Sequence, residues 1–224
     1  MKYKNLHEWL LEPKKAIEVQ KSLKNSLKIQ PFEKEVNIVA GVDIAFKGNF
    51  GVAVIIVIDK NFQILEIKYH FEKVNMPYIP GLLAFREGPI FLKAWEKIEN
   101  NVDIVFFDGQ GIAHPRKLGI ASHMGLFIDK PTIGIAKSKL VGEYEEPAEK
   151  KGSFTNLVYK NETIGIVYRS KDKTKPIFIS PGHMIDIPSS LKFTQMFITK
   201  YRLPEPTRLA HIYTQKIKKE KLIG

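Results

Sequence analysis

The sequence predicts an α/β fold: a mixed sheet of three antiparallel meander strands and further parallel strands, flanked by helices. Three observations predict it. Two runs, Val36-Asn-Ile-Val-Ala-Gly-Val-Asp43 and Val102-Asp-Ile-Val-Phe-Phe-Asp108, are apolar and β-branched enough for central strands buried on both faces. Three strand-like runs between residues 36 and 73 follow one another across short turns, which makes them antiparallel neighbours. Beyond them, strand-like and helical runs alternate, the order of parallel β-α-β units.

Each element can be justified in turn. Residues 13–28 open on Pro13 and space Ala16, Ile17, Val19, Leu23 and Leu27 as an amphipathic helix. The first strand spans residues 36–46. Gly48-Asn49 turns into the second, Gly51-Val-Ala-Val-Ile-Ile-Val-Ile58. Asp59-Lys-Asn61 turns into the third, residues 63–73, where Ile64, Glu66, Lys68 and His70 alternate with Leu65, Ile67, Tyr69 and Phe71. That period of two suits an edge strand with one wet face. A proline-bracketed loop, Pro77-Tyr78-Ile79-Pro80-Gly81, leads into a helix over 82–99, which Gly88-Pro89 either kinks or restarts. The fourth strand covers 102–108. Gly109-Gln110-Gly111 then leads to Pro115 and a helix over 116–128, and the fifth strand is Thr132–Ala136. Residues 141–176 contain a hairpin, Ser153–Tyr159 or Thr163–Tyr168 with Pro176–Ser180. Helices over 186–198 and 205–220 complete the chain. Without internal repeats or a linker, residues 1–224 read as a single domain. The order matches a ribonuclease-H-like core.

Composition narrows the function. The formal net charge is +11, from 35 basic against 24 acidic residues, which favours polyanionic partners or marks a lysine-rich solvated surface. Cysteine is absent, which excludes disulfides, thiolate metal sites and cysteine nucleophiles. The N-terminus lacks the apolar core of a signal peptide, and no run approaches the ~18 apolar residues of a membrane span. The expected setting is the cytoplasm.

Asp43 and Asp108 each close a buried-looking strand, and a carboxylate there is costly unless paired. If the strands are parallel neighbours about 4.8 Å apart, both acids enter one small space. Crowded carboxylates invite a hard divalent cation such as Mg²⁺. Ordinary strand-end acids facing water are the alternative. Glu87 shares a helical face with Leu83, Phe91, Ala94 and Ile98, so it is aimed toward the sheet if the helix is unbroken.

The motifs carry more than pattern. Pro77-Tyr-Ile-Pro-Gly-Leu-Leu-Ala-Phe-Arg-Glu-Gly-Pro89 closely resembles the central signature of the endonuclease V family. Asp108-Gly-Gln-Gly-Ile-Ala-His-Pro-Arg-Lys-Leu-Gly-Ile-Ala-Ser-His-Met-Gly125 resembles its second block. Val42-Asp-Ile-Ala-Phe46, Gly134-Ile-Ala-Lys-Ser138 and Pro206-Thr-Arg-Leu-Ala-His-Ile-Tyr213 look like the remaining blocks, in the same order. The resemblance covers residues 3–220 and is weakest over 141–175.

The resemblance implies a ribonuclease-H-like fold and a metal-dependent endonuclease. It would act on DNA containing deoxyinosine and cut the second phosphodiester bond 3′ to the lesion, leaving 3′-hydroxyl and 5′-phosphate ends. The implied cofactor is Mg²⁺, with Mn²⁺ able to substitute, and the expected state is a monomer. By motif position, Asp43, Glu87 and Asp108 bind metal, and Lys137 and His211 join them as catalytic residues. On the residues alone, Lys137 reads as a solvent-exposed lysine just past a strand, and His211 as a half-buried packing residue. Tyr78 suits a wedge that refills the stack when the lesion is extruded, because Pro77 and Pro80 stiffen its loop around Ile79. A tyrosine packing a rigid turn is the plainer reading. Gly81, Leu83, Gly109, Ile120 and Leu140 match the family's pocket positions, and His114 either steadies the loop or bonds locally. Arg86, Arg116, Lys117 and Lys139 are candidate phosphate contacts. The rivals are an endoribonuclease of the same fold acting on inosine-containing RNA, and a non-catalytic inosine-binding protein.

Overall fold

A computed structural model describes residues 1–222. Its strands are β1 (Ile38–Lys47), β2 (Phe50–Asp59), β3 (Ile64–Lys73), β4 (Ile104–Asp108), β5 (Thr132–Ala136), β6 (Phe154–Tyr159), β7 (Glu162–Tyr168) and β8 (Ile177–His183). They form one eight-stranded sheet in the order β3-β2-β1-β4-β5-β8-β7-β6. The first three pair antiparallel through tight turns, and β1-β4 and β4-β5 are parallel. This is the expected meander followed by parallel strands. The hairpin region is larger than expected, because both candidate segments are strands. β6 pairs with β7, and β7 pairs with β8, extending the sheet antiparallel.

Helices α1 (Pro13–Leu23), α2 (Leu83–Trp95), α3 (Ile120–Ile128), α4 (Ile187–Met196) and α5 (Glu205–Leu222) flank the sheet. The alternating residues of β2 explain why. Ala53, Ile55 and Val57 enter the core with α2 and α3, while Val52, Val54, Ile56 and Ile58 enter the core with α4 and α5. Each fully buried aliphatic side chain contributes ~1.5–3 kcal/mol. Four helices are shorter than the pattern suggests, α4 by a residue or two at each end. α1 ends in a 3₁₀ turn over Lys24–Ser26. α2 gives way after Trp95 to turns closed by the Lys97 and Ile98 amides. α3 starts only at Ile120, since Lys117 adopts left-handed backbone (φ 56°) that interrupts a helix. Pro89 lies inside α2 without breaking it, so Glu87 keeps its inward phase and is buried.

One expectation needs correction. On β3 the apolar residues, not the polar ones, are the more exposed: Leu65, Ile67, Tyr69 and Phe71 lie open. The reason is coverage. Glu66 accepts bonds from the Glu99 and Asn100 amides just beyond α2, and Glu72 pairs with Lys93 of that helix. On the opposite face, α5 packs on β1 and β2, leaving the β3 edge open.

The N-terminal stretch docks through an aromatic cluster of His7, Trp9, Phe85, His123 and Phe127. His7 Nδ1 lies 2.8 Å from the Glu8 carbonyl, so it donates. Its Nε2 must then accept from His123 Nε2–H across 2.7 Å, which requires the His7 ring to be neutral, while His123 is buried with no partner at Nδ1 to favour a second proton. Burial lowers both pKa values, that of His123 strongly. The folded state therefore resists a proton that the unfolded chain takes up near pH 6.5, and stability falls as pH drops below that value. Replacing His7 with Phe should lessen the stability lost between about pH 7.5 and 5.5, read from thermal midpoints. An unchanged pH dependence in His7→Phe would refute the neutral pair.

Candidate active site

The register of β1 on β4 pairs Val42 with Phe107. Asp43 and Asp108 therefore follow side by side at neighbouring strand ends. A third group arrives from α5, and glycine permits it: a Cβ at Gly41 would lie 1.9 Å from the Pro206 carbonyl oxygen. With that contact open, α5 lies against β1, and His211 Nδ1 stands 3.3 Å from Asp43 Oδ2. One ligand atom each from Asp43, Asp108 and His211 lie within 4.8 Å of one another. Glu87 falls outside this mutually close group but is buried beside it.

The electrostatics are strained. Burial, then Asp43 and Asp108, push the Glu87 carboxyl up to about 8. Burial, then Asp108, raise Asp43 too, opposed by His211 and Lys137. Lys137, just past β5, donates to Asp108. One ammonium does not balance three acids, and a cation held by carboxylate oxygens would. Among the described residues the donor set is oxygen with one imidazole nitrogen and no thiolate, which fits a hard divalent ion.

Asp108 and Lys137 also line a cavity of about 370 Å³. Gly81, Leu83, Gly109, Ile120 and Leu140 all line it, as do Tyr78, Pro80, His114 and Lys139. Tyr78 is 64% exposed at its mouth. The floor of the Pro77–Gly81 loop is clamped at one atom. The Gly81 carbonyl accepts from Gln20 Nε2 (3.0 Å), His114 Nε2 (3.1 Å) and an Arg116 amino group (2.7 Å). Gly81 itself is left-handed (φ 78°), a conformation that glycine adopts without strain. The Arg116 backbone N–H donates to His114 Nδ1, so that ring is neutral, and burial lowers its pKa to about 4.

The remaining candidates lie elsewhere. Arg86 sits over the Phe46 ring in a different hollow. Arg116 is engaged by Gly81 and by Gln20 Oε1, and Lys117 pairs with Glu162. Ile79 packs toward α1, and Pro77 is exposed.

The sequence profile described as Endonuclease V matches residues 21–212. The chain belongs to the endonuclease V family. It is 61% identical over 220 residues to Endonuclease V of Thermosipho melanesiensis, covering 98% of this chain and 97% of that protein. The Bacillus subtilis Endonuclease_V structure superposes with a TM-score of 0.94 at 34% identity, covering 98% of each chain. Endonuclease V of Ciona intestinalis, solved in complex with a 24mer DNA containing an inosine followed by a ribo-adenosine, gives 0.82 at 26% identity over 92% of this chain and 98% of that one. The ribonuclease-H-like fold is shared with these endonuclease V structures.

Sequence reasoning missed Gln20. It sits in α1, far from every motif, and its only signal was a polar residue on the apolar face with Ala16 and Leu23. It is 1% exposed and holds both Gly81 and Arg116. Gln20→Ala removes a donor to the Gly81 carbonyl and the acceptor of the Arg116 Nε–H, at a cost of about 0.5–1.5 kcal/mol per bond. The expected result is a lower thermal midpoint together with weaker lesion binding and unchanged metal affinity. Retention of full lesion affinity would show that the clamp does not shape the cavity.

Proposed function

We propose that this chain is an Mg²⁺-dependent endonuclease that recognises deoxyinosine in DNA and hydrolyses the second phosphodiester bond 3′ to it, leaving 3′-hydroxyl and 5′-phosphate ends, in DNA repair. The observation that carries this reading is the continuity of the acidic cluster with the cavity, through Asp108 and Lys137. Asp43, Asp108 and Glu87 would hold the cation, with His211 beside Asp43. When bound, the ion supplies an activated water and offsets charge on the leaving oxygen. Mn²⁺ would substitute. One domain over residues 1–224, acting as a cytoplasmic monomer, completes the reading. Among the described residues no helix is long and apolar enough to cross a membrane.

The chain's own residues do the rest. Lys137 sets a positive charge at the junction of cavity and carboxylates, where a scissile phosphate would lie. Extruding the inosine costs a few kcal/mol of stacking, and Tyr78 inserts to refill the gap. The base then lies against Leu83, Ile120 and Leu140, while backbone groups near Gly81 and Gly109 read its ring N–H and 6-oxo edge. Neutral His114 keeps the loop seated without placing a second charge beside the base. The ribo-adenosine after the inosine in the Ciona complex favours a second reading, cleavage beside inosine in RNA. Matched DNA and RNA strands, each with one inosine and incubated with and without Mg²⁺, separate the two; no cut in either would sink both.

Asp43→Ala and Asp108→Ala should each reduce nicking by ~10³-fold or more while lesion binding persists. Full cleavage in Asp43→Ala would refute the metal assignment. Tyr78→Ala should weaken lesion binding by about 1–3 kcal/mol with the cation site intact, and unaltered affinity in a binding titration would remove the wedge.

A further inference from the structure

Beyond Lys137 a second hollow opens, about 670 Å³ in volume. Lys137, Ser138 and Lys139 line both spaces, so the two are continuous. Its other lysines are Lys173 and Lys175, both exposed, and its aromatic wall is Tyr144 on Phe178, edge to face at 5.4 Å. Lys139 Nζ lies 5.6 Å from the centre of the Tyr144 ring.

The hollow is built, not incidental. Its two walls are the stretches 144–149 and 173–176. Buried Arg169, 5% exposed, ties one to the other. Its guanidinium donates to the carbonyls of Pro147 (2.8 Å), Ala148 (3.1 Å) and Thr174, and pairs with Glu146 at 2.6 Å. The Lys173 amide donates to the Glu149 carbonyl at 3.0 Å. Arg202 joins this wall to the active site, donating to the carbonyls of Lys175 (2.7 Å), Pro176 (2.8 Å) and Lys137 (3.0 Å). With Glu146 engaged by Arg169 and Lys137 by Asp108, three lysines remain against Glu149 as the other acid of the lining.

Lysines along a groove with an aromatic face suit a single-stranded nucleic acid, whose phosphates take the charges and whose bases stack. We infer that this groove holds the flank of the lesion strand beyond the nucleotides in the cavity and at the carboxylates, with Lys173 and Lys175 on phosphates and Tyr144 beneath a base. This rests on the endonuclease reading above and adds a strand path to it.

The test uses single-stranded oligonucleotides with one inosine, shortened stepwise from the 5′ end in one series and from the 3′ end in another. Binding is read by fluorescence anisotropy and nicking by single-turnover kinetics, for the unaltered protein, for the double variant Lys173→Gln with Lys175→Gln, and for Tyr144→Leu. The unaltered protein should lose affinity about tenfold when one flank becomes too short to reach the groove. The double variant should bind long strands about tenfold more weakly, with a salt slope shallower by roughly 1.4, two phosphates at about 0.7 each. Tyr144→Leu should weaken binding with the salt slope unchanged. All variants should match the unaltered protein on the shortest strands and in nicking rate at saturation. Equal affinity of the double variant and the unaltered protein for long strands overturns the groove. Absence of nicking by the unaltered protein would instead overturn the endonuclease reading, and the flank-dependent affinity would still judge the groove.

Discussion

The structure depends on placing negative charges where they repel. Parallel pairing of β1 and β4 brings Asp43 and Asp108 to adjacent strand ends, and the inward phase of α2 adds Glu87. In water three carboxylates would separate; here the sheet forbids it. Burial compounds the cost, and both Asp43 and Glu87 respond by holding protons more tightly. The neighbours answer only in part: Lys137 on Asp108, His211 on Asp43. A site this far from charge balance in its bare form is poised for a divalent ion, which would convert the repulsion into coordination.

Rigid and adjustable parts are kept apart. The acids stand on strands and on a packed helix, with Asp43 and Glu87 buried and Asp108 half-buried at the cavity. The cavity wall that receives a base is a loop, and it is held from outside the sheet, by Gln20 of α1 and by His114 and Arg116 of the turn after β4. Three donors meeting on one carbonyl fix the loop base while Tyr78 stays exposed at its tip. A stiff root with a free tip lets a side chain enter a base stack with little ordering cost.

Much of this was legible in the sequence. Strands β1, β2, β4 and β5 were readable because their residues are apolar on both faces, and β5 matches residue for residue. The strand-end acids were readable because a carboxylate closing such a run is conspicuous. The helix starts were harder, since Pro115 marks a turn whose left-handed Lys117 delays α3 to Ile120. On β3, alternation showed which residues share a face but not which face would be covered. That depends on where α5 ends up, a tertiary matter. Long-range polar contacts left no local trace: Gln20 reaches Gly81 across 61 positions, and Arg202 reaches Lys137 across 65. Arg86 and Arg116 carry plausible charge for phosphate, and in the fold one guanidinium also sits over an aromatic ring while the other donates to a carbonyl, contacts with no trace in the local sequence.

The bare backbone at Gly41 gives the fold a hidden lever. Because the Pro206 carbonyl occupies the space where a methyl group would stand, any larger residue there must drive the start of α5 away from the sheet. The imidazole four residues beyond Thr207 would travel with that helix. A change two positions before Asp43 would then present in an assay as a missing active-site group, though every such group remained in the sequence.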